Sequence, residues 1–173
     1  IRCPWIQPRA AREGLGNQFL GNIRECDAIL EVVRCFDNDD VVHVEGSVDP
    51  IRDIEIIETE LVLADLQSLE KRLDRISRQA RADKALAKEV DAMRQLQEHL
   101  DAGLPVRTFT CADPDAIAPC RKELHFLTDK PVIYVANVGE SDLGAEDNDH
   151  VKALQNYDNG YAVLRLSIGG GQA

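Results

Sequence analysis

The spacing of apolar residues divides the chain into helix-like and strand-like segments. From Leu15 to Glu25 the apolar positions lie on one face of a short helix; they are Leu15, Phe19, Leu20 and Ile23. Ala28 to Cys35 follows as an almost uninterrupted apolar run. A strand that is apolar on both faces is typical of the middle of a parallel sheet. The sequence therefore predicts a helix followed by a buried strand.

The segment after this strand turns polar. Phe36 to Asp40 is polar and acidic, and His43 follows on a stretch, 41–50, that the sequence predicts to be short, extended and loop-like. In α/β folds, loops that leave the carboxyl ends of buried strands carry the chemistry. His43 is therefore a candidate site residue, and an ordinary loop histidine is the alternative.

From Ile51 the pattern becomes that of a long amphipathic helix. Its apolar positions step by three and four residues, as in a coiled-coil seam, at Leu66, Leu69, Leu73, Ile76 and Ala80. A second run has the same character, at Leu86, Val90, Met93, Leu96 and Leu100. Gly103 and then Pro105 mark a helix stop. These runs predict an antiparallel helical hairpin that bends near residues 81–84, with either a tight connection or a helix that runs on through.

The remaining third of the chain alternates between helix and strand. Asp113-Pro114 places an N-cap residue before a proline at the first helical position, which starts a helix predicted to reach Leu127. Residues 131–138, PVIYVANV, form a second buried strand. A helix at Asp149–Tyr157 and a third strand at Tyr161–Ser167 follow.

With the hairpin set aside, helices and strands alternate along the chain. That order predicts a doubly wound α/β fold with a hairpin inserted after the first strand. The predicted boundaries are an irregular segment at 1–12, the α/β domain at 13–52 and 128–173, and the inserted helical domain at 53–127.

The charge narrows the class of partner. The 173 residues carry a net charge of −11 with pI near 4.8, which argues against general coating of nucleic acid because phosphate binding needs basic density. From Lys71 to Glu98, however, eight Lys or Arg residues face five Asp or Glu residues. This part of the helical arm is either a solvated surface or a contact surface for RNA or an acidic partner.

Composition also bears on compartment. No apolar run approaches the roughly 18 residues of a membrane span, and no stretch resembles a secretion signal. The five cysteines are odd in number and scattered, a pattern typical of reduced thiols in a cytoplasmic protein. The chain starts at Ile1 and finishes in IGGGQA, from which we expect a segment of a longer protein.

The sequence lacks the common motifs of phosphate-binding and metal-binding sites. The chain has no GxxxxGK(S/T) phosphate-binding loop, and its glycine clusters at 14–16 and 169–171 are too loose to count as one. No metal site is predicted, because the four histidines are far apart in sequence; they are His43, His99, His125 and His150.

One further pattern stands at the end of the second predicted strand. Asn137-Val138-Gly139-Glu140 reads N-x-x-E, where P-loop GTPases carry NKxD, whose Asp accepts two hydrogen bonds from guanine. Adenine lacks that amino donor, so a fixed Asp would leave an unpaired charge beside it. The longer Glu140 side chain need not lie there, and the change permits adenine. An ordinary strand-end turn is the alternative.

Three strings carry a family resemblance. GLGNQFLGNIRECDAILEVVRCF, DDVVHVEGSVDPIRDIEIIETELVLADL and KPVIYVANVGE resemble the YchF / Obg-like ATPase family of P-loop NTPases over Glu13 to Asp142. The resemblance implies a partial P-loop NTPase (G-type) parallel sheet with an inserted antiparallel coiled-coil arm. It also implies a ribosome-associated protein that hydrolyses ATP in preference to GTP with Mg²⁺.

The resemblance assigns roles to particular residues. Asn137 and Glu140 would read the base, with main-chain contact to adenine at Val138. His43 would replace the glutamine that other GTPases use for catalysis. A neutral imidazole near a terminal phosphate can orient or partly deprotonate the attacking water.

The resemblance also bounds what this chain can do. Gly14, Gly16 and Asn17 would begin the switch II helix, while the P-loop and the C-terminal TGS domain of the family are absent. We therefore expect an internal fragment that binds no nucleotide tightly and hydrolyses none measurably. The alternatives are a non-enzymatic helical interaction module and a fragment whose exposed sheet edge prevents stable folding.

Overall fold

The computed structural model describes residues 12–37, 47–80, 83–139, 142, 146–157 and 164–166, with the backbone alone at 12–18, 84–85 and 164–166. The chain divides into two compact units. The first is drawn from Ile1–Asn22, Ala28–Ile56 and Val132–Ala173, and the second from Ile23–Asp27 and Ile57–Pro131.

The elements follow the predicted order. They are helix α1 (Arg12–Glu25), strand β1 (Ile29–Arg34), helices α2 (Pro50–Ser77) and α3 (Lys84–Asp101), a 3₁₀ turn (Val106–Thr108), helix α4 (Pro114–Leu124), strand β2 (Val132–Asn137), helix α5 (Asp149–Tyr157) and strand β3 (Leu164–Leu166). α2 ends at Ser77 and residues 78–80 form a turn, which excludes a helix that runs on through the predicted bend. None of the described helices is long and apolar enough to cross a membrane.

The described strands form one parallel sheet in the order β1-β2-β3. β1 and β2 pair in register from Ile29 opposite Val132 to Arg34 opposite Asn137. Parallel pairing requires a crossover between the strands, and α2 to α4 lie in the connection between β1 and β2. The prediction of an α/β chain with a parallel sheet is confirmed.

The core of the first unit lies along one face of this sheet. Its buried members come from β1 and β2 and the segments that follow them, and from α2 and α5; they are Val33, Cys35, Ile54, Val132, Tyr134, Ala136, Val138, Val151 and Leu154. β2 is buried along most of its length, as its apolar run predicts.

Burial of β1 on both faces was predicted and is wrong for the described residues. Leu30 is 64% exposed and Val32 52% exposed. Successive side chains of a strand point to opposite faces of the sheet, and Leu30 and Val32 lie on the face opposite to the buried Val33. An apolar run therefore indicates a strand here without indicating that both of its faces are covered.

The core of the second unit is built from α2, α3, α4 and the 3₁₀ turn. The predicted positions on α3 are correct at Val90, Met93, Leu96 and Leu100, all 5% exposed or less. On α2 the buried stripe differs from the predicted seam. It runs Val62, Asp65, Leu69, Arg72 and Ile76, whereas Leu66 and Leu73 are only partly buried.

Two helix ends illustrate the limits of local signals. Gly103 follows α3 with φ of +78°, the left-handed conformation that glycine adopts most easily at a helix stop. The helix from Pro114 was predicted to reach Leu127 and instead ends at Leu124, because His125 takes φ of 44° and ψ of 56°. That turn sends the next two residues, Phe126 and Leu127, into buried positions.

Candidate functional site

The predicted base-contacting segment lies at the carboxyl end of the central described strand. Asn137 is the last residue of β2 and pairs with Arg34 of β1. One residue after the end of β1, the amide of Cys35 donates to the Asn137 carbonyl oxygen at 2.8 Å. Val138 is 3% exposed within the sheet core. The main chain at Asn137 and Val138 is therefore held by both pairing and burial.

The amino-terminal end of α5 is fastened to the same edge. Asn148 caps this helix, since its Oδ1 accepts from the Val151 amide at 2.9 Å. Its Nδ2 donates to the Cys35 carbonyl oxygen at 2.8 Å and lies 3.3 Å from Asp142 Oδ2. One amide side chain thus ties the end of β1 to the start of α5.

Two further contacts complete the described edge. His150 Nε2 lies 3.3 Å from Asp37 Oδ2, and that carboxylate is 81% exposed. Arg34 donates through Nε to the Phe36 carbonyl oxygen at 3.0 Å, and its guanidinium lies 4.8 Å from the centre of the Phe36 ring. Amide, carboxylate and main-chain groups of this kind suit hydrogen bonding to a flat polar heterocycle.

The structure places only some of the predicted site residues. Gly14, Gly16 and Asn17 lie in the first two turns of α1, which begins at Arg12, three residues before the predicted start. His43 and Glu140 lie outside the described residues, so their roles stay predictions.

A buried polar cluster in the second unit was missed by the sequence analysis. Asp65, fully buried, accepts from the Leu127 amide at 2.9 Å and from the Thr128 amide and hydroxyl at 2.8 Å each. Burial raises the pKa of this carboxyl group, while the Thr128 and Leu127 donors and the charge of Arg24 act in the opposite direction. The sequence did contain a signal for it, because Asp65 lies three residues after Val62 and four residues before Leu69, which are both buried apolar positions of α2.

Other candidate chemistry is sparse in the described part of the chain. It contains no group of three or more His, Cys, Asp or Glu side chains that could hold a metal ion. A shallow cleft of about 190 Å³ opens in the second unit beside α3, lined by Lys88, Asp91, Gln95, Cys111 and Asp113 among others. Asn137 and Val138, the predicted base-contacting residues that the structure describes, do not line it.

Comparison with known proteins identifies relatives that are similar to this chain in sequence and in structure. No family model matches the chain. The ribosome-binding ATPase YchF of Bacillus subtilis is 43% identical over 149 residues, which cover 84% of this chain and 40% of that protein. The protein of the same description from Haemophilus influenzae is 45% identical over 144 residues, covering 83% and 39%.

Two further proteins of similar description match this chain with lower sequence identity. Obg-like ATPase 1 of Pongo abelii is 39% identical over 162 residues, covering 90% of this chain and 41% of that protein. The solved structure of the Schizosaccharomyces pombe YchF GTPase aligns with a TM-score of 0.76 and 32% identity, over 90% of this chain and 44% of that one. The chain thus spans about two fifths of the length of the curated relatives it matches.

Proposed function

Because the chain belongs to the YchF / Obg-like ATPase family over the region that these relatives match, we propose that it is the base-binding and helical portion of a ribosome-associated, nucleotide-binding ATPase. The observation that carries this proposal is the position of Asn137 and Val138. They lie at the carboxyl end of a buried parallel strand, where open α/β sheets bind their ligands.

The chain's own residues supply recognition of the base. Asn137 fastens the loop after β2 and reads the base, the main chain at Val138 contacts adenine, and Glu140 permits ATP in preference to GTP. The burial of Val138 and the hydrogen bond from Cys35 to Asn137 support a main chain that is ordered before nucleotide arrives. Such preorganisation lowers the entropic cost of binding.

The hydrolytic step depends on residues outside the described edge. His43 orients the water that attacks the γ-phosphate, and helix α1, whose first turns carry Gly14, Gly16 and Asn17, acts as switch II. Mg²⁺ accompanies the nucleotide and is usually held by one or two carboxylates together with phosphate oxygens. The described residues contain no group of three or more His, Cys, Asp or Glu side chains that could hold a metal ion.

The helical portion has a separate task in this proposal. Residues 13–52 and 128–173 form the nucleotide-binding domain, and residues 53–127 form an inserted coiled-coil arm that contacts the ribosome in the cytoplasm. Two relatives are described as ribosome-binding. The exposure of Arg75 and Lys88, 60% and 74%, supports a basic contact surface on the arm.

Nucleotide binding by the complete gene product tests the base assignment. Fluorescent ATP and GTP analogues are titrated against the wild type, Asn137→Ala and the control Asn156→Ala, an exposed asparagine on α5. We expect Asn137→Ala to weaken binding by about tenfold or more, as loss of one good hydrogen-bonding contact allows. Equal binding by all three proteins would contradict the assignment.

Turnover tests the histidine. In the complete gene product, His43→Ala is expected to lower kcat with little change in KM for ATP, because His43 acts on water and not on the bound nucleotide. The chain alone is expected to show no measurable ATPase activity. ATP hydrolysis by the chain alone that disappears in His43→Ala would refute this view.

The second candidate is a non-enzymatic interaction module in which the arm alone does the work. Its support is the exposure of Arg75 on α2 and Lys88 on α3, two cations that also contact Glu123 and Asp113. Reversing the charges of Arg75, Arg78 and Lys88 separates the two functions. Loss of ribosome co-sedimentation in a protein that never bound nucleotide would favour the module, whereas nucleotide binding that survives the reversal would favour the ATPase.

A further inference from the structure

A network of hydrogen bonds in the second unit gathers the last turn of α1, the middle of α2 and the end of α4. Its cation is Arg24, near the end of α1. The Arg24 guanidinium donates to the carbonyl oxygens of Leu124 at 3.0 Å and His125 at 3.4 Å, and to Ser68 Oγ at 3.0 Å. It also lies 3.4 Å from Asp65 Oδ1. The carbonyl oxygens at a helix end favour a cation, so this contact holds the end of α4.

The anion of the network is Asp65. Both of its oxygens act as acceptors, one for the Leu127 amide and the other for the Thr128 amide and hydroxyl. Thr128 Oγ1 in turn accepts from the Val106 amide at 3.0 Å. A buried acceptor with several donors fixes the position of the chain that provides them, here the two residues after the buried Phe126.

Lys130 closes the network on the main chain. Its ammonium group donates to the carbonyl oxygen of Arg24 at 3.1 Å and to that of Cys26. β2 begins at Val132, two residues after Lys130. The end of α1 and the entry to β2 are therefore held by the same set of side chains, which we call the Arg24–Asp65 joint: Arg24, Asp65, Ser68, Thr128 and Lys130.

Two regular elements leave this joint. α1 continues back from Arg24 to its first turns at Gly14 and Gly16, and β2 runs forward to Asn137. Both are hydrogen-bonded elements that resist bending, and rigid elements transmit displacement between distant sites. A shift at one end of either element therefore reaches the joint.

We propose that the Arg24–Asp65 joint couples α1 to the entry of β2, so that the two elements change position together. Its importance for nucleotide turnover rests on the proposed function, in which these elements carry the switch helix and the base-contacting loop. Arg24 and Asp65 are positioning residues in this scheme, because they act through α1 and β2 and touch no substrate.

Amide hydrogen exchange tests the joint without nucleotide. Arg24→Gln and Asp65→Asn are each compared with the wild type and with Arg94→Gln, which changes an exposed arginine on α3. We expect exchange at the Leu127 and Thr128 amides to become about tenfold or more faster in both joint variants, as loss of hydrogen bonds to a charged group allows. The control should leave these amides unchanged.

The decisive measurement is the rate of amide exchange in α1 when Asp65 is changed. Asp65 receives no hydrogen bond from the main chain of α1 among the described contacts, so faster exchange across residues 19–24 in Asp65→Asn would report coupling and not local loosening. The proposal is overturned if Asp65→Asn loosens Leu127 and Thr128 while the α1 amides stay within about twofold of wild type.

A second experiment adds ATP to the complete gene product and distinguishes the two proposals. The expected result is slower exchange at Leu127 and Thr128 in the wild type and loss of that effect in Arg24→Gln, with Kd for ATP changed by no more than about threefold. ATP that binds without altering these amides in the wild type would overturn the coupling and leave the ATPase assignment intact. Absence of ATP binding would refute the proposed function, and the nucleotide-free experiment would then decide the joint alone.

Discussion

The buried ion pair between α2 and α3 gives the sharpest test of how the second unit is held together. Arg72 and Glu89 have side chains 7% and 8% exposed, with Arg72 Nη2 at 2.5 Å from Glu89 Oε1. The other end of the guanidinium contacts Glu123, which also contacts Arg75. Glu123 therefore keeps a basic partner when Arg72 is removed, whereas Glu89 loses the one described here.

The expected magnitudes follow from that difference. In Arg72→Met the Glu89 carboxylate stays buried without its partner, and breaking a buried pair in this way costs about 3–5 kcal/mol of unfolding free energy. In the double variant Arg72→Met/Glu89→Leu both charges are gone and apolar side chains of similar volume take their places. Such replacements are often neutral or stabilising, so at least about 2 kcal/mol of the loss should return.

Urea denaturation followed by far-UV circular dichroism measures these changes. Arg94→Met, on the exposed side of α3, is the matched control and should change the unfolding free energy by less than about 0.5 kcal/mol. A loss below about 1 kcal/mol in Arg72→Met, or a double variant less stable than the single one, would refute the reasoning. Either outcome would mean that Glu89 does not depend on Arg72 for its burial.

Three further predictions concern thiols, a helix end and the core. Burial raises the pKa of Cys35 to about 11 and that of Cys120 to about 12. Because the thiolate is the reactive form, both cysteines should be alkylated at pH 8 about a hundredfold or more slowly than the exposed Cys26, and their rates should rise with pH. Peptide mass spectrometry measures the rates. Gly103→Ala should lower the unfolding free energy by about 1–2 kcal/mol, since φ of +78° strains a residue with a Cβ atom. Leu96→Ala, at a fully buried position, should cost about 2–5 kcal/mol in the same denaturation assay.

Each of these has its own control. Alkylation in urea should remove the difference between the cysteines, and rapid labelling of Cys120 in the native chain would contradict its burial. Gly103→Asn should cost less than the alanine variant because asparagine tolerates the left-handed conformation. Leu104→Ala, at a side chain 47% exposed, should cost far less than Leu96→Ala.

Over the described residues the sequence alone determined the order and kind of the α-helices and strands, whereas it missed the 3₁₀ turn at Val106–Thr108 and left open whether α2 and α3 are one helix. Period-3.6 spacing identified α1, α2 and α3, and the Asp113-Pro114 pair located the start of α4. These signals succeed because they report local geometry, namely which side chains share a face and which residues begin or end a helix. The same local reasoning located Asn137 at the end of β2.

Only the tertiary structure decided which side chains are buried and what they meet. Asp65 and Arg72 occupy the core-facing stripe of α2 because their partners come from distant parts of the chain, Thr128 and Glu89, 63 and 17 residues away. The exposure of Leu30 is likewise decided by tertiary packing, because its side chain lies on the sheet face opposite to the core that covers Val33. The spacing of apolar residues is a property of a single helix or strand. The partner of a buried charge and the burial of a strand face depend instead on elements that are remote in sequence.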